Sequence, residues 1–372
     1  MSSSRYIMIG GFLGAGKTTA INRFAQHLTD NGLSVGLITN DQGAGLVDTA
    51  LGRSNNFPTE EISGGCFCCR FNSLIDAARN LTEANRPDVL LAEPVGSCTD
   101  LVATVSLPLQ KIYGGDYKVA PLSVLVDPVR ALRVLGLDDS GKKFSKNVTY
   151  IYRKQLEEAE VIVINKTDLV TPGQLATLTQ SLKTEFPDAT VFQISARSGD
   201  NCPTWFDHAA THELDVPRFL DIDYDRYGEG EALLGWLNTT VELEANADEF
   251  DGNQLLTDLA GQLRSSLESA GAEVAHLKMT LTPIGDPFDI AAVNLVRSDA
   301  QPELSHTLPD PLEDGELLLN IRAEASPETL ETAVQDAFDS VFSPKYNLSH
   351  TITHSEHFRP GQPNPTHRYT SS

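Results

Sequence analysis

The sequence predicts an α/β fold: a mostly parallel, Rossmann-like sheet covered by helices, followed by a smaller α+β domain. Three observations predict it. Short apolar runs alternate with helical patterns through the first half of the chain. A glycine-rich turn joins the first apolar run to the first helical pattern. Beyond residue 230 the order changes to strand, helix, three strands and helix.

The strands expected in the first half are Arg5–Ile9, Ser34–Thr39, Asp88–Glu93, Leu122–Val126, Val161–Asn165 and Thr190–Ser195. Most are nearly continuous apolar stretches, as strands buried on both faces are. Helices fit between them at Lys17–Asn31, Asn72–Ala84, Val129–Gly136, Val148–Ala159, Pro172–Phe186 and Pro203–His212. These elements make a first domain over residues 1–212. Residues 213–230 carry Asp215, Asp221, Asp223, Asp225 and Glu229 among Pro217, Gly228 and Gly230, the composition of an acidic linker. A second domain over 231–345 follows. Its strands are Leu234–Glu244, Glu273–Thr282, Ile290–Arg297 and Leu317–Ala323, and its helices Gly252–Ala270 and Pro327–Phe342. Residues 346–372 form a polar tail with His350, His354, His357 and His367, expected to be loosely ordered and its histidines solvated.

Composition narrows the function. The chain has 372 residues, 40% of them hydrophobic, enough for a sizeable core. Its formal net charge of −23 repels phosphate backbones, so no nucleic-acid partner is expected. The apolar run Tyr6–Ile9 is too short for a signal core or a membrane span. Five cysteines make no disulfide framework, and three of them cluster at Cys66, Cys68 and Cys69. A cytoplasmic protein with no membrane contact is expected, its thiols serving metal or redox chemistry. Cys98 is read as a buried inert thiol. Cys202 is given no role, and Trp236 is assigned to the core.

Gly11-Phe12-Leu13-Gly14-Ala15-Gly16-Lys17-Thr18 matches the phosphate-loop pattern in full, with a strand before it and a helix after it. Glycines let successive backbone N–H groups point at phosphate oxygens. Lys17 then reaches the β- and γ-phosphates, the Thr18 hydroxyl ligates Mg²⁺, and Thr19 lies beside it at the start of the helix. Asn165-Lys166-Thr167-Asp168, at the end of a strand, is the guanine-reading pattern N-K-x-D. A carboxylate at Asp168 accepts from guanine N1–H and the 2-amino group together, a donor pair that adenine lacks. The stem of Lys166 covers the base. Ser195-Ala196 is expected to bring a backbone N–H to the guanine carbonyl. The nucleotide is therefore GTP. Glu93 ends a buried strand, placed to hold a metal-bound water or to orient the attacking one, and Asp41 is a second acid in switch position. Lys17, Glu93 and Asp41 are the expected catalytic set for GTP hydrolysis.

Three thiolates within four residues, Cys66, Cys68 and Cys69, suit one borderline ion such as Zn²⁺ or Co²⁺. Three ligands leave a position open, which suits a metal that is passed on.

Together these stretches resemble the CobW-type metallochaperone GTPases, the class that also holds the urease and hydrogenase maturation GTPases. The resemblance rests on residues 10–19, Asn40-Asp41-Gln42-Gly43, Gly64–Cys69, Glu93-Pro94-Val95-Gly96 and Asn165–Asp168, in family order. It implies a P-loop NTPase domain with a smaller C-terminal α+β domain, slow GTP hydrolysis, and metal handling at the cysteines coupled to nucleotide state. It also implies an unidentified client metalloenzyme as partner and leaves a homodimer open. The family's switch reads Asn-Glu-x-Gly-Glu, where this chain has Asp41 and Ala44. The alternative is a GTPase chaperone that gates a cofactor such as cobalamin into a client, with structural or redox cysteines.

Overall fold

Apolar strand runs bounded by glycine turns and capped helices build the first layer system. The computed structural model describes residues 3–40, 57–215, 218–285 and 289–370. Its strands are β1 (Ser4–Gly11), β2 (Val35–Asn40), β3 (Thr59–Ile62), β4 (Val89–Glu93), β5 (Tyr117–Val119), β6 (Ser123–Val126), β7 (Val161–Ile164) and β8 (Thr190–Gln193). Among the described residues they form one parallel sheet in the order β3-β2-β4-β1-β6-β7-β8, with β5 also against β1. The helices are α1 (Lys17–Asp30), α2 (Phe71–Asn85), α3 (Leu107–Tyr113), α4 (Pro128–Val134), α5 (Lys146–Glu158), α6 (Pro172–Glu185) and α7 (Cys202–Thr211).

The period of two in β1 divides the core. Ile7 and Ile9 pack with Phe24 of α1 and Trp205 of α7 on one face. Tyr6 and Met8 join Phe71 of α2 and Tyr152 of α5 on the other. Both faces are covered, so β2, β4, β6 and β7 are buried throughout.

The acidic stretch differs from the linker expected. Asp223 accepts from the N–H groups of Asp225 and Arg226 and caps a helix, α8 (Tyr224–Leu233). Gly230 lets α8 lie close to α5, since a Cβ there would stand 2.7 Å from Asn147 O. Of the carboxylates that suggested a solvated connector, Asp223 serves as the cap, Glu229 accepts from Asn147 Nδ2 at 3.0 Å and Asp225 from Gln362 Nε2 at 2.9 Å, and the next acid along α8, Glu231, is buried.

The second sheet is antiparallel. β9 (Leu234–Ala245), β10 (Glu273–Thr282), β11 (Ala291–Leu295), β12 (Glu303–His306), β13 (Asp314–Glu324) and β14 (Leu348–Phe358) run in the order β12-β11-β10-β13-β9-β14. Leu317, Leu319, Ile321 and Ala323 of β13 bury under α9 (Gly252–Ser269) and α10 (Pro327–Tyr346). The opposite face carries buried polar residues, Asn238, Thr280, Asn320 and Arg322. It turns toward the first domain. Arg322 lies 3.8 Å over the Trp236 ring, and Trp236 joins the first domain's core.

The polar tail is ordered. Residues 348–358 pair along β9, and the chain then returns to the first domain. His350, His354 and His357 are exposed on this strand, His357 beside Glu331. Among the described residues no helix is long and apolar enough to cross a membrane.

Candidate functional site

The site lies across the carboxyl ends of the parallel strands, centred on β1, where connections leave in both directions. The loop after β1 needs its glycines. Gly11 has φ +127° and Gly16 φ +87°; a Cβ would stand 2.3 Å from Leu125 O at the first and 2.6 Å from Asn165 Nδ2 at the second. The loop from Gly11 through Gly14 and Ala15 to Gly16 therefore packs too closely on β6 and Asn165 for side chains at Gly11 and Gly16, and its positive-φ glycines give the backbone shape that a phosphate loop uses. Lys17 and Thr18 open α1, where no side chain caps the helix N-terminus, and a helix N-terminus favours an anion. Thr19 follows in the first turn of the same helix.

Glu93, at the end of β4, meets this loop. Thr18 Oγ1 donates to Glu93 Oε1 at 3.1 Å, and Lys17 Nζ lies 3.9 Å from the same oxygen. A hydroxyl and a carboxylate at this separation fit the donor set of Mg²⁺. Asp41 and Ala44 fall outside the described residues.

The base-reading residues follow β7. Asn165 Nδ2 donates to Ala15 O at 2.9 Å, and its Oδ1 accepts from Ala196 N at 2.9 Å. Asn165 thus joins the phosphate loop to the loop after β8. Lys166 is left-handed at φ 54° and reaches back to Gly14 O at 2.6 Å and Asp127 Oδ2 at 3.2 Å. Burial lowers the Lys166 pKa, against the pull of Asp127. Burial pushes Asp127 the other way, but Lys166 and Arg297 outweigh it and hold its carboxyl below the usual range. Asp168, the residue expected to read the base, is exposed. The Ser195 and Ala196 N–H groups are spent inside the protein, on Asp200 O and Asn165 Oδ1, so the expected donor to a guanine carbonyl is engaged.

On the other side of β1, the loop after β3 carries the thiols. Asn40, the last residue of β2, donates to Ile62 O at 2.9 Å and to Gly65 O at 2.7 Å. Cys66 and Cys68 are buried and Cys69 half-buried. The Sγ separations are 2.9 Å for Cys66–Cys68, 3.2 Å for Cys66–Cys69 and 3.8 Å for Cys68–Cys69. Tetrahedral Zn–S bonds of ~2.3 Å set sulfurs about 3.8 Å apart. One pair is already at that spacing, and the others need to open by less than an ångström. Thiol hydrogen bonds from Cys68, Cys69 and Cys98 hold Cys66 well below an ordinary thiol pKa, while the bond to Cys66 raises Cys68 and Cys98 well above it.

Two contributors escaped sequence reasoning. Cys98 follows Glu93-Pro94-Val95-Gly96-Ser97 and is buried in the same core cluster as Cys66 and Cys68; its place just after a strand-end acid of the site was the available signal. Lys278 of β10 lies with Nζ 3.4 Å from Thr18 Oγ1. Burial, with the cations Lys278, Arg322 and Lys17, holds His276 well below its usual pKa. The second sheet thus brings positive charge to the phosphate end of the site, and no local motif marks that contact.

Comparison with known proteins gives the family. The family model described as CobW/HypB/UreG, nucleotide-binding domain, matches residues 5–193, more than half of the chain. The zinc chaperone YeiR of Escherichia coli (strain K12) is 32% identical over 172 residues, 45% of this chain and 48% of that protein. The zinc chaperone CobW of Sinorhizobium sp is 32% identical over 184 residues, 44% of this chain and 51% of that protein. The chain spans about half the length of the curated relatives it matches. The structure of Zn(II)-bound YjiA GTPase from E. coli overlaps 92% of this chain and 99% of its own, with a TM-score of 0.39 and 20% identity. With its phosphate cradle, its N-K-x-D loop and its three clustered thiols, this chain belongs to the CobW/HypB/UreG family.

Proposed function

We propose that this protein binds GTP·Mg²⁺, hydrolyses it slowly, and uses nucleotide state to time the transfer of Zn²⁺ from Cys66, Cys68 and Cys69 to a client metalloprotein. The observation that carries the reading is Asn40. Its side chain ties the end of β2, where the switch segment begins, to the backbone of the thiol loop. A change in the switch is therefore felt at the thiols without a long relay.

The nucleotide roles follow from the site. The glycine loop binds the phosphates, and Lys17 stabilises charge on the terminal one. Mg²⁺, when bound, draws charge from the β- and γ-oxygens. The Thr18 hydroxyl is its ligand, and Glu93 orients water beside it. Asp168 accepts the two donors on the guanine edge, with the Lys166 stem against the base. Mutually hydrogen-bonded reduced thiols fit a reducing, cytoplasmic setting.

The test is the affinity for Zn²⁺, measured by chelator competition, with a non-hydrolysable GTP analogue and with GDP. A difference of at least fivefold is expected, about 1 kcal/mol of coupling. Equal affinities would end the coupled reading, and preference for ATP would end the nucleotide assignment.

A further inference from the structure

After β14 the chain does not leave the molecule. Residues 360–370 run from the second sheet onto the thiol loop. Gln362 Nε2 donates to Asp225 Oδ1 at 2.9 Å. The backbone N–H of Asn364 donates to Cys69 Sγ at 3.3 Å. Thr366 grips the loop twice, with its N–H on Cys68 O at 2.9 Å and its hydroxyl on Cys69 O at 3.2 Å. Its far end is locked down. Arg368 Nε donates to the buried Asp100 Oδ2 at 2.7 Å, and Tyr369 N donates to Ala103 O at 3.0 Å. Asp100 also accepts from Tyr224 OH at 2.7 Å. Pro360, Pro363 and Pro365 restrict the unbound segment, so less entropy is lost when it is laid down.

The strap touches the thiols where they are open. Cys66 and Cys68 are closed in by the core, whereas Cys69 is half-buried. A thiophilic cation entering or leaving the cluster passes the Cys69 side. The Asn364 N–H lies there, on the ligand atom itself. A group bonded to a metal ligand orients it and tunes its hold on the metal.

We infer that residues 364–369 form the outer wall of the thiol site, with the Asn364 N–H positioning Cys69 and the Arg368–Asp100 pair as the latch, and that this wall sets how fast a thiophilic divalent cation exchanges. The inference rests on the reading of these thiols as a metal site. Its test also has a readout that needs no metal.

The experiment uses full-length protein carrying Asn364→Pro, which deletes the N–H, or Arg368→Gln, which releases the latch, with Arg368→Lys as the conservative control. Metal-free protein is treated with iodoacetamide and each cysteine is followed by peptide mass. Zn²⁺-loaded protein is mixed with a chromophoric chelator and transfer is timed. Cys69 alkylation and Zn²⁺ transfer are expected to rise about tenfold in both variants, the lower end of the effect of removing a group bonded to a metal ligand. Cys66 and Cys68 keep their slow alkylation, and Arg368→Lys restores most of the wild-type rate. Rates within twofold of wild type in both variants overturn the inference. So does an equal rise at all three thiols, which reports loosening of the domain rather than a wall over Cys69. Wild-type protein that holds no Zn²⁺ removes the metal reading instead, and the alkylation pattern then decides whether the strap covers Cys69.

Discussion

Two asparagines, one on each side of β1, secure the two halves of the site in different ways. Asn165 uses both ends of its amide, donating to Ala15 O and accepting from Ala196 N. The base side is a closed circuit between two loops. Asn40 donates twice, to Ile62 O and Gly65 O, but among the described residues its buried Oδ1 has no partner. The thiol side is held by one end of the amide only. Base reading needs a fixed set of acceptors, whereas a site that hands on its cargo needs a neighbour able to take two arrangements. On the proposed function, the base side is the fixed half of the sheet and the thiol side the adaptable one.

The comparison breaks most sharply at Asp168. Asp168→Asn exchanges half of an acceptor pair for a donor, so guanine loses its match while the 2-oxo group of xanthine gains one. GTP affinity is expected to fall about 10³-fold, with xanthosine triphosphate now preferred. Competition against a fluorescent guanine nucleotide measures both. A change of less than tenfold would mean that the rigid half does not read the base.

The next effect separates the asparagines. Asn165→Ala leaves the Ala15 carbonyl and the Ala196 N–H without their partner, at a cost of about 2–4 kcal/mol. Nucleotide affinity and melting temperature should both drop. Asn40→Ala removes two bonds but also an unsatisfied acceptor, so about 1–2 kcal/mol is expected. GDP affinity should stay within threefold of wild type, while the Zn²⁺ affinity difference between nucleotide states collapses. Equal effects of the two substitutions on GDP binding would erase the distinction between the halves.

The smallest effect concerns pH. Glu158 of α5 lies behind the thiol side, accepting from Thr99 Oγ1 and Val102 N. Burial, with Asp100 adding to it, pushes its pKa from 4.5 up to about 8. Between those values the folded protein keeps a proton that the unfolded chain has released. Unfolding therefore releases a proton, and stability falls as pH rises through this window. Glu158→Gln removes that slope. Its loss of melting temperature between pH 6 and pH 8 should be smaller than wild type's by on the order of 2–4 °C. Parallel melting curves would show that Glu158 titrates normally.

The rigid half was the more legible in sequence. β1, β4, β6 and β7 are apolar runs because helices cover both faces, and the phosphate and base motifs sit at their ends, where short contiguous patterns carry the chemistry. The thiol motif is equally local. The elements that escaped are those whose partners are distant. β3 reads Thr59-Glu60-Glu61-Ile62, polar enough for an edge. β5 has three residues against the start of β1. Pro108 interrupts the pattern of the helical segment that runs from Val102 to Tyr113, which is buried only as far as Leu109. The acidic residues before α8 resemble a linker because a cap and a solvated connector use the same side chains. β14 has no apolar alternation, since it is exposed along most of its length and held by backbone pairing to β9. The strap's contacts to Cys68 and Cys69 each use a backbone group on at least one side and join residues about 300 apart in the chain, and no sequence pattern announces those.

That separation along the chain has a consequence in time. Asn364 is made 295 residues after Cys69, so at ribosomal rates of about 5–20 residues/s the thiols wait roughly 15–60 s before their wall exists. Through that interval the nascent domain carries its three cysteines without the cover described above, open to whatever metal or oxidant reaches them first. The solution present during synthesis is therefore the first that the thiols sample, before the strap governs exchange.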